Sequence, residues 1–127
     1  MELTAIVIAL ALLEYVVFTL LCGRARARHG VVAPATSGDP TFERYFRVQQ
    51  NSVEQLIVFV PAMLLFGHFV SEPIGAGLGL VFILGRALFA RGYYQDAAKR
   101  ASGFGLSLLS NLVLLIGGLI GAVSAYF

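Results

Sequence analysis

The chain has 127 residues, of which 58% are hydrophobic and only 13% are charged. Soluble domains carry about 25% charged residues, so this composition excludes an ordinary soluble domain and predicts one membrane domain over residues 1–127. The net charge is +2, but the basic residues lie between apolar runs, which argues against a nucleic-acid partner. Cys22, His29 and His68 share no metal-ligand spacing, so we expect no metal site.

Four transmembrane helices are predicted in chain order, over about residues 3–23, 40–70, 73–100 and 103–126. Each contains an apolar stretch that meets or approaches the roughly 20 residues needed to cross a bilayer. Asp39 and Pro40 supply an N-cap and N1 pair for the second helix. Residues 71–73 leave room only for a tight turn, so the second and third helices form an antiparallel hairpin. The fold class is therefore an all-α membrane protein, a four-transmembrane-helix bundle.

The basic residues predict the orientation of this bundle. All nine lie in or beside the first and third connections: Arg24, Arg26, Arg28, Arg44, Arg47, Arg86, Arg91, Lys99 and Arg100. The positive-inside rule places these connections in the cytoplasm and both termini on the opposite side. Since no accessory domain accompanies the four helices, we expect a multi-pass protein of a bacterial inner membrane with both termini periplasmic.

Two polar stripes enter the membrane from the basic side. Arg47, Asn51 and Glu54 are spaced i, i+4 and i+7, so they share one face of the second helix. The third helix carries a stripe with a seven-residue spacing: Arg86, Tyr93 and Arg100. Polar groups at membrane depth normally face a bundle interior or a wet cavity. Two alternatives are snorkelling arginines and mutual neutralisation of Glu54 with Arg47 or Arg86.

Other features allow more than one interpretation. Glu14 lies in the middle of the first span, where an acid is either a proton-coupled site or a structural partner for a cation. A small proton-coupled multidrug exporter using Glu14 is therefore one alternative function. The pairs Gly75 and Gly79, and Gly117 and Gly121, have the spacing that permits close helix packing in lipid.

The segment from Phe42 to Glu54 matches a pattern of the form F-E-R-x-x-R-x-Q-x-N-x-x-E, and Gly92-Tyr93 is followed by Arg100. With these motifs the chain resembles the MAPEG family, the membrane-associated proteins in eicosanoid and glutathione metabolism. The motif residues cover about residues 24 to 100, and the four-span layout extends the resemblance over the whole chain.

The resemblance implies a homotrimer that binds glutathione between adjacent protomers near the cytoplasmic side. The residues it assigns to glutathione are Arg26, Arg47, Gln49, Asn51, Glu54 and Tyr93. Arg100 is assigned to the thiol, as the catalytic residue that stabilises the thiolate. The implied activity is a glutathione-dependent transferase or peroxidase whose lipophilic second substrate, an electrophile or a hydroperoxide, enters from the membrane lipid.

Three positions depart from the family pattern. Gln55 and Phe89 stand where many members have tyrosine, and Ala27 stands where leukotriene-producing members have arginine. Gln55 and Phe89 each lose a tyrosine hydroxyl, and Ala27 lacks the guanidinium. The alternative within the family is a scaffold that binds glutathione or lipid without catalysis.

Overall fold

A computed structural model describes residues 1–127 as four long α-helices. Their bounds are α1 Glu2–Arg28, α2 Pro40–Phe69, α3 Glu72–Gln95 and α4 Ala101–Tyr126, with a 3-10 turn at Ala97–Arg100. All four are long and apolar enough to cross a membrane. The predicted all-helical architecture with four candidate spans is thus confirmed.

The helix starts in the middle of the chain follow from local capping. The Asp39 side chain accepts a hydrogen bond from the backbone N–H of Phe42 at 2.9 Å, and Pro40 opens α2. The Ser71 hydroxyl accepts from the N–H of Ile74 at 3.3 Å and begins α3 only two residues after α2 ends. Side-chain acceptors of this kind satisfy N–H groups that lack a helical partner. The predicted hairpin of α2 and α3 therefore has a defined turn.

Two predicted helix ends differ from the structure. The first helix continues through Arg28 instead of ending near residue 23. Its last turns are basic and extend beyond the apolar span. The third helix ends at Gln95 instead of continuing to residue 100. Asp96 adopts an extended backbone with φ −163° and ψ 127°, and its side chain accepts from the N–H of Ala98 at 3.1 Å. This cap starts the separate 3-10 turn that leads into α4.

The core lies between the helices at the level of α2 residues 56–66. The rings of Phe59 and Phe82 stack with centroids 4.0 Å apart, and Val7, Met63 and Leu114 are buried in the same cluster. Aromatic stacking and dispersion contribute more here than hydrophobic transfer, since lipid is itself apolar.

Small residues set how closely the helices approach. The two predicted glycine pairs pack as expected: a Cβ on Gly79 would collide with Val7, and one on Gly117 would collide with Phe66. A closer approach, which the spacing did not indicate, occurs where α3 crosses α4. A Cβ on Gly103 would collide with the backbone of Phe89. This crossing brings the start of α4 against the end of α3, where the largest cavity lies.

Candidate functional site

The largest cavity opens at the basic end of the bundle, between α2, the end of α3 and the start of α4. Its volume is about 920 Å³. Its wall is formed by ten residues: Arg47, Gln50, Asn51, Glu54, Phe89, Tyr93, Ala98, Arg100, Ala101 and Phe104. Five of the seven residues predicted to form the site thus line one cavity.

The α2 wall of the cavity carries charges of both signs. Arg47 and Glu54 are exposed, and neither forms a hydrogen bond or an ion pair within 4 Å in the chain. Two turns of helix separate them, which places them on one face but out of each other's reach. The alternative in which Glu54 neutralises Arg47 or Arg86 is therefore wrong. Both charges remain available to a ligand.

The opposite wall is built by the end of α3 and the 3-10 turn. The guanidinium carbon of Arg100 lies 5.8 Å from the centroid of the Tyr93 ring, and the side chain donates to the carbonyl of Ala97. Because Asp96 caps this turn, Arg100 is carried on a short constrained segment instead of on a continuous helix. The cavity thus has a cation on each side.

Behind the cavity lies a closed polar cluster around Arg86. Its side chain is 1% exposed and donates to Asn51 Oδ1 at 2.8 Å, Ser52 Oγ at 2.9 Å and Ser107 Oγ at 3.3 Å. The guanidinium also lies 4.2 Å from the centroid of the Phe89 ring. The spacing of Arg86 in the sequence predicts a place on the polar stripe of α3 but no role in the site. The adjacent polar pair Asn51-Ser52 was the signal that could have indicated its partners.

Asn51 belongs to both polar regions. Its Oδ1 accepts from Arg86, while the residue also lines the open cavity. Because one amide atom is held by Arg86, the Nδ2 donor is the polar atom left for a ligand. Arg86 therefore determines which chemical group Asn51 presents.

Two predicted site residues lie outside the cavity of this protomer. Arg26 donates to the carbonyl oxygens of Ala35 at 2.7 Å and Val31 at 3.5 Å, and its guanidinium lies 4.7 Å from the Phe42 ring centroid. Within the protomer it therefore fastens the loop between α1 and α2. Gln49 is half-buried on a different face of α2 from Arg47 and forms no side-chain hydrogen bond.

Glu14 lines a narrow gap together with Arg86, Phe18 and Phe82. The gap does not admit a water-sized sphere, and no guanidinium nitrogen of Arg86 lies within 4 Å of a carboxylate oxygen of Glu14. A half-buried acid near a buried cation, in a gap too narrow for water, fits the structural alternative better than a proton path, which needs access to water.

Two of the three departures from the family pattern, Gln55 and Phe89, have structural explanations in this chain. Asn111 Nδ2 donates to Gln55 Oε1 at 3.1 Å and to the Gln55 backbone carbonyl at 3.2 Å, which joins α2 to α4. Phe89 is 2% exposed and packs edge-on to Tyr93 with centroids 5.4 Å apart. Both positions thus contribute to packing beside the cavity.

Comparisons with known proteins agree with the motif. The sequence model of the MAPEG family matches residues 4–120. An uncharacterised protein of Synechocystis is 48% identical over 116 residues, covering 91% of this chain and 85% of that protein. Human microsomal glutathione S-transferase 2 is 39% identical over 109 residues, covering 86% of this chain and 74% of its own length.

A third relative extends the range of activities. Leukotriene C4 synthase of Cavia porcellus is 36% identical over 98 residues, covering 77% of this chain and 65% of that enzyme. The family match spans nearly all of the chain and all four apolar helices. The protein is accordingly a multi-pass integral membrane protein that belongs to the MAPEG family.

Proposed function

We propose that this protein is a glutathione-dependent transferase or peroxidase whose open cavity binds glutathione. The observation that carries the proposal is the set of unpaired charges in that cavity: Arg47 and Glu54 on one wall and Arg100 on the other. The relatives named microsomal glutathione S-transferase 2 and leukotriene C4 synthase support glutathione as the co-substrate.

The chemistry of the cavity matches the charges of glutathione. The tripeptide carries two carboxylates, one ammonium group and a thiol. Arg47 suits a carboxylate because guanidinium forms charge-assisted, bidentate hydrogen bonds with that group. Glu54 suits the ammonium, and the free Nδ2 of Asn51 suits a peptide carbonyl. A zwitterionic ligand thus satisfies charges that the protomer leaves unpaired.

Arg100 is the candidate catalytic residue. A free thiol has a pKa of about 8.5, and a nearby guanidinium favours the thiolate, which is the nucleophile. In the transferase reaction the thiolate forms a carbon–sulfur bond and the electrophile releases its leaving group. In the peroxidase reaction two glutathione molecules reduce one hydroperoxide to an alcohol and water and become a disulfide. In both reactions Arg100 stabilises the sulfur anion before it reacts.

The lipophilic second substrate is proposed to arrive through the bilayer. The α4 residue Phe104 lines the cavity, and the exposed Leu108 follows it one turn along the same helix. Phe89 and Phe104 add an apolar portion to its wall. This arrangement supports a reaction between a polar thiolate and a substrate dissolved in lipid.

We further propose the homotrimer that the family resemblance implies. Gln49 and Arg26 lie outside this protomer's cavity, and a neighbouring protomer that contributes them would complete the glutathione site. Cross-linking and light scattering in detergent test this assembly. A monodisperse monomer that binds glutathione with full affinity would contradict it.

We also propose an orientation and a cellular location for the protein. The positive-inside rule supports a cytoplasmic position for the basic end, with both termini periplasmic in a bacterial inner membrane. Labelling of single cysteines placed at residue 72 and at residue 99 in intact cells tests this topology. Labelling of residue 99, and not of residue 72, by an impermeant reagent would show that the protein has the opposite orientation.

Calorimetric titration of glutathione into the detergent-purified protein tests the binding step. We expect Arg47→Ala to lose binding, while Arg91→Ala serves as a matched control because Arg91 is exposed and lies outside the cavity. Equal affinities for the two variants would contradict the assigned site.

Turnover separates the enzyme from a non-catalytic scaffold. We expect the purified protein to conjugate a chlorodinitrobenzene-type electrophile or to reduce a lipid hydroperoxide. Tight glutathione binding without either reaction would favour the scaffold.

A further inference from the structure

A second cavity lies at the basic end of α1 and shares no residue with the proposed glutathione site. Its volume is about 320 Å³. It lies between the last two turns of α1 and the first turns of α2, and its wall comprises Leu21, Arg24, Ala25, Arg28, His29, Thr41 and Tyr45. Nothing in the proposed reaction uses this cavity.

The cavity has a strong positive charge with no compensating acid in its wall. Arg24 and Arg28 form neither an ion pair within 4 Å nor a side-chain hydrogen bond. His29 already has a partner, because its Nδ1 lies 3.5 Å from Asp39 Oδ1. Two like charges at i and i+4 repel each other. An anion between the two guanidinium groups would relieve this repulsion and occupy their donors.

Arg26 differs from Arg24 and Arg28 because it has partners within the chain. Arg26, on another face of the same helix, directs one guanidinium nitrogen to the loop carbonyls and lies over the Phe42 ring. The chain therefore uses one arginine of this segment to hold its own loop. The other two are left facing a cavity.

An apolar stripe leads along α1 to these arginines. Leu13, Val17 and Leu20 are 60%, 50% and 67% exposed. Their spacing of i, i+4 and i+7 continues to Arg24 at i+11, which lies on the same helical face. The stripe is about three turns long and ends in guanidinium groups. The ligand that complements this surface is an amphiphile, apolar in the bilayer and anionic at the interface.

We propose that this surface binds an anionic phospholipid, with the phosphate between Arg24 and Arg28 and one acyl chain along the stripe of α1. Basic pockets at the membrane boundary bind anionic headgroups in this way. The Thr41 and Tyr45 hydroxyls supply further donors to the phosphate oxygens. A free phosphate ion would use only the polar end, so the apolar stripe selects the lipid.

The test measures thermal unfolding and lipid retention of the detergent-purified full chain. The added probes are dioleoylphosphatidylglycerol, dioleoylphosphatidylcholine and inorganic phosphate. We expect only phosphatidylglycerol to raise the unfolding temperature and to remain bound in native mass spectrometry. Equal protection by inorganic phosphate would overturn the lipid assignment and indicate a site for soluble anions. Equal protection by phosphatidylcholine would overturn the role of the arginines.

Amino-acid substitutions test which residues bind phosphatidylglycerol. R24A/R28A is expected to weaken phosphatidylglycerol binding roughly tenfold or more, since each surface arginine contributes to attraction of anionic lipid. R24K/R28K retains the charge and is expected to keep most of the affinity, which separates loss of binding from a folding defect. R91A/K99A removes the same charge from the other basic connection and serves as the matched control.

Two results with the variants would overturn the proposal. One is an equal loss of lipid in R24A/R28A and R91A/K99A, which would indicate a general effect of net charge. The other is a change in the number of subunits per assembly when Leu20 is replaced by Asn, with no lipid bound to the protein. That result would show that a second copy of the chain covers the stripe.

Discussion

Two polar regions meet at Asn51, and they differ in how completely their groups are paired. Around Arg86 three side-chain oxygens accept from one buried guanidinium. In the adjoining cavity Arg47 and Glu54 have no partner in the chain. A closed and paired polar cluster holds helices together, whereas an open and unpaired one is available to bind a ligand. The same residue types therefore have different roles according to their surroundings.

The largest effect is expected from Arg86→Ala. The change leaves the oxygens of Asn51, Ser52 and Ser107 without their donor and creates a cavity in the bundle, so we expect the free energy of unfolding to fall by about 3 kcal/mol. Unfolding by sodium dodecyl sulfate, followed by circular dichroism, measures this loss. Arg47→Ala is the control and is expected to change stability by less than about 0.5 kcal/mol. Equal losses for both variants would remove the distinction between the two regions.

The next effect is expected in binding. Arg47→Ala removes a charge-assisted contact to a carboxylate, so glutathione affinity should fall by about 1.5 to 3 kcal/mol, equivalent to roughly ten- to 150-fold in Kd. Calorimetry on the folded variant measures the change. Unchanged affinity would mean that the unpaired charges of the cavity do not bind this ligand.

A third effect should appear in the chemical step and not in binding. Arg100→Ala should keep glutathione affinity within a small factor but remove the ultraviolet absorbance of the bound thiolate. Since a thiol of pKa about 8.5 is only about 3% ionised at pH 7, turnover should fall roughly thirtyfold. The loss should be largely recovered at pH 9, where the free thiol ionises. A normal thiolate band with lost binding would contradict the role of Arg100.

The smallest effect concerns the residue that the two regions share. Asn51→Ala removes one acceptor of Arg86 and one donor to the ligand, so we expect losses of about 1 kcal/mol both in stability and in glutathione affinity. Paired unfolding and titration measurements on this variant determine the two losses. A loss in only one property would show that Asn51 belongs to one region alone.

Local sequence patterns predicted several parts of the fold and site. The cap at Asp39 acts within one helical turn, so it could be identified without a partner helix. The α2 spacing correctly placed Arg47, Asn51 and Glu54 on one face, and all three line the cavity. The α3 stripe was less well predicted, because Asp96 ends the helix before Arg100.

Local sequence patterns did not predict the contacts between segments that are distant in the chain. The sequence did not indicate that Arg86 would bind Ser107, which lies 21 residues away on α4. It also gave no sign that Gly103 would meet the backbone of Phe89 or that Arg26 would donate to its own loop.

The sequence by itself determined the number of apolar helices, the tight hairpin and the shared face of the α2 polar residues, because these depend on hydropathy and on the 3.6-residue period of one helix. The tertiary structure decided which polar groups are paired and which remain open to a ligand. That outcome depends on the relative rotation and depth of neighbouring helices. These are fixed by how side chains and glycines from all four helices pack, which no single segment specifies.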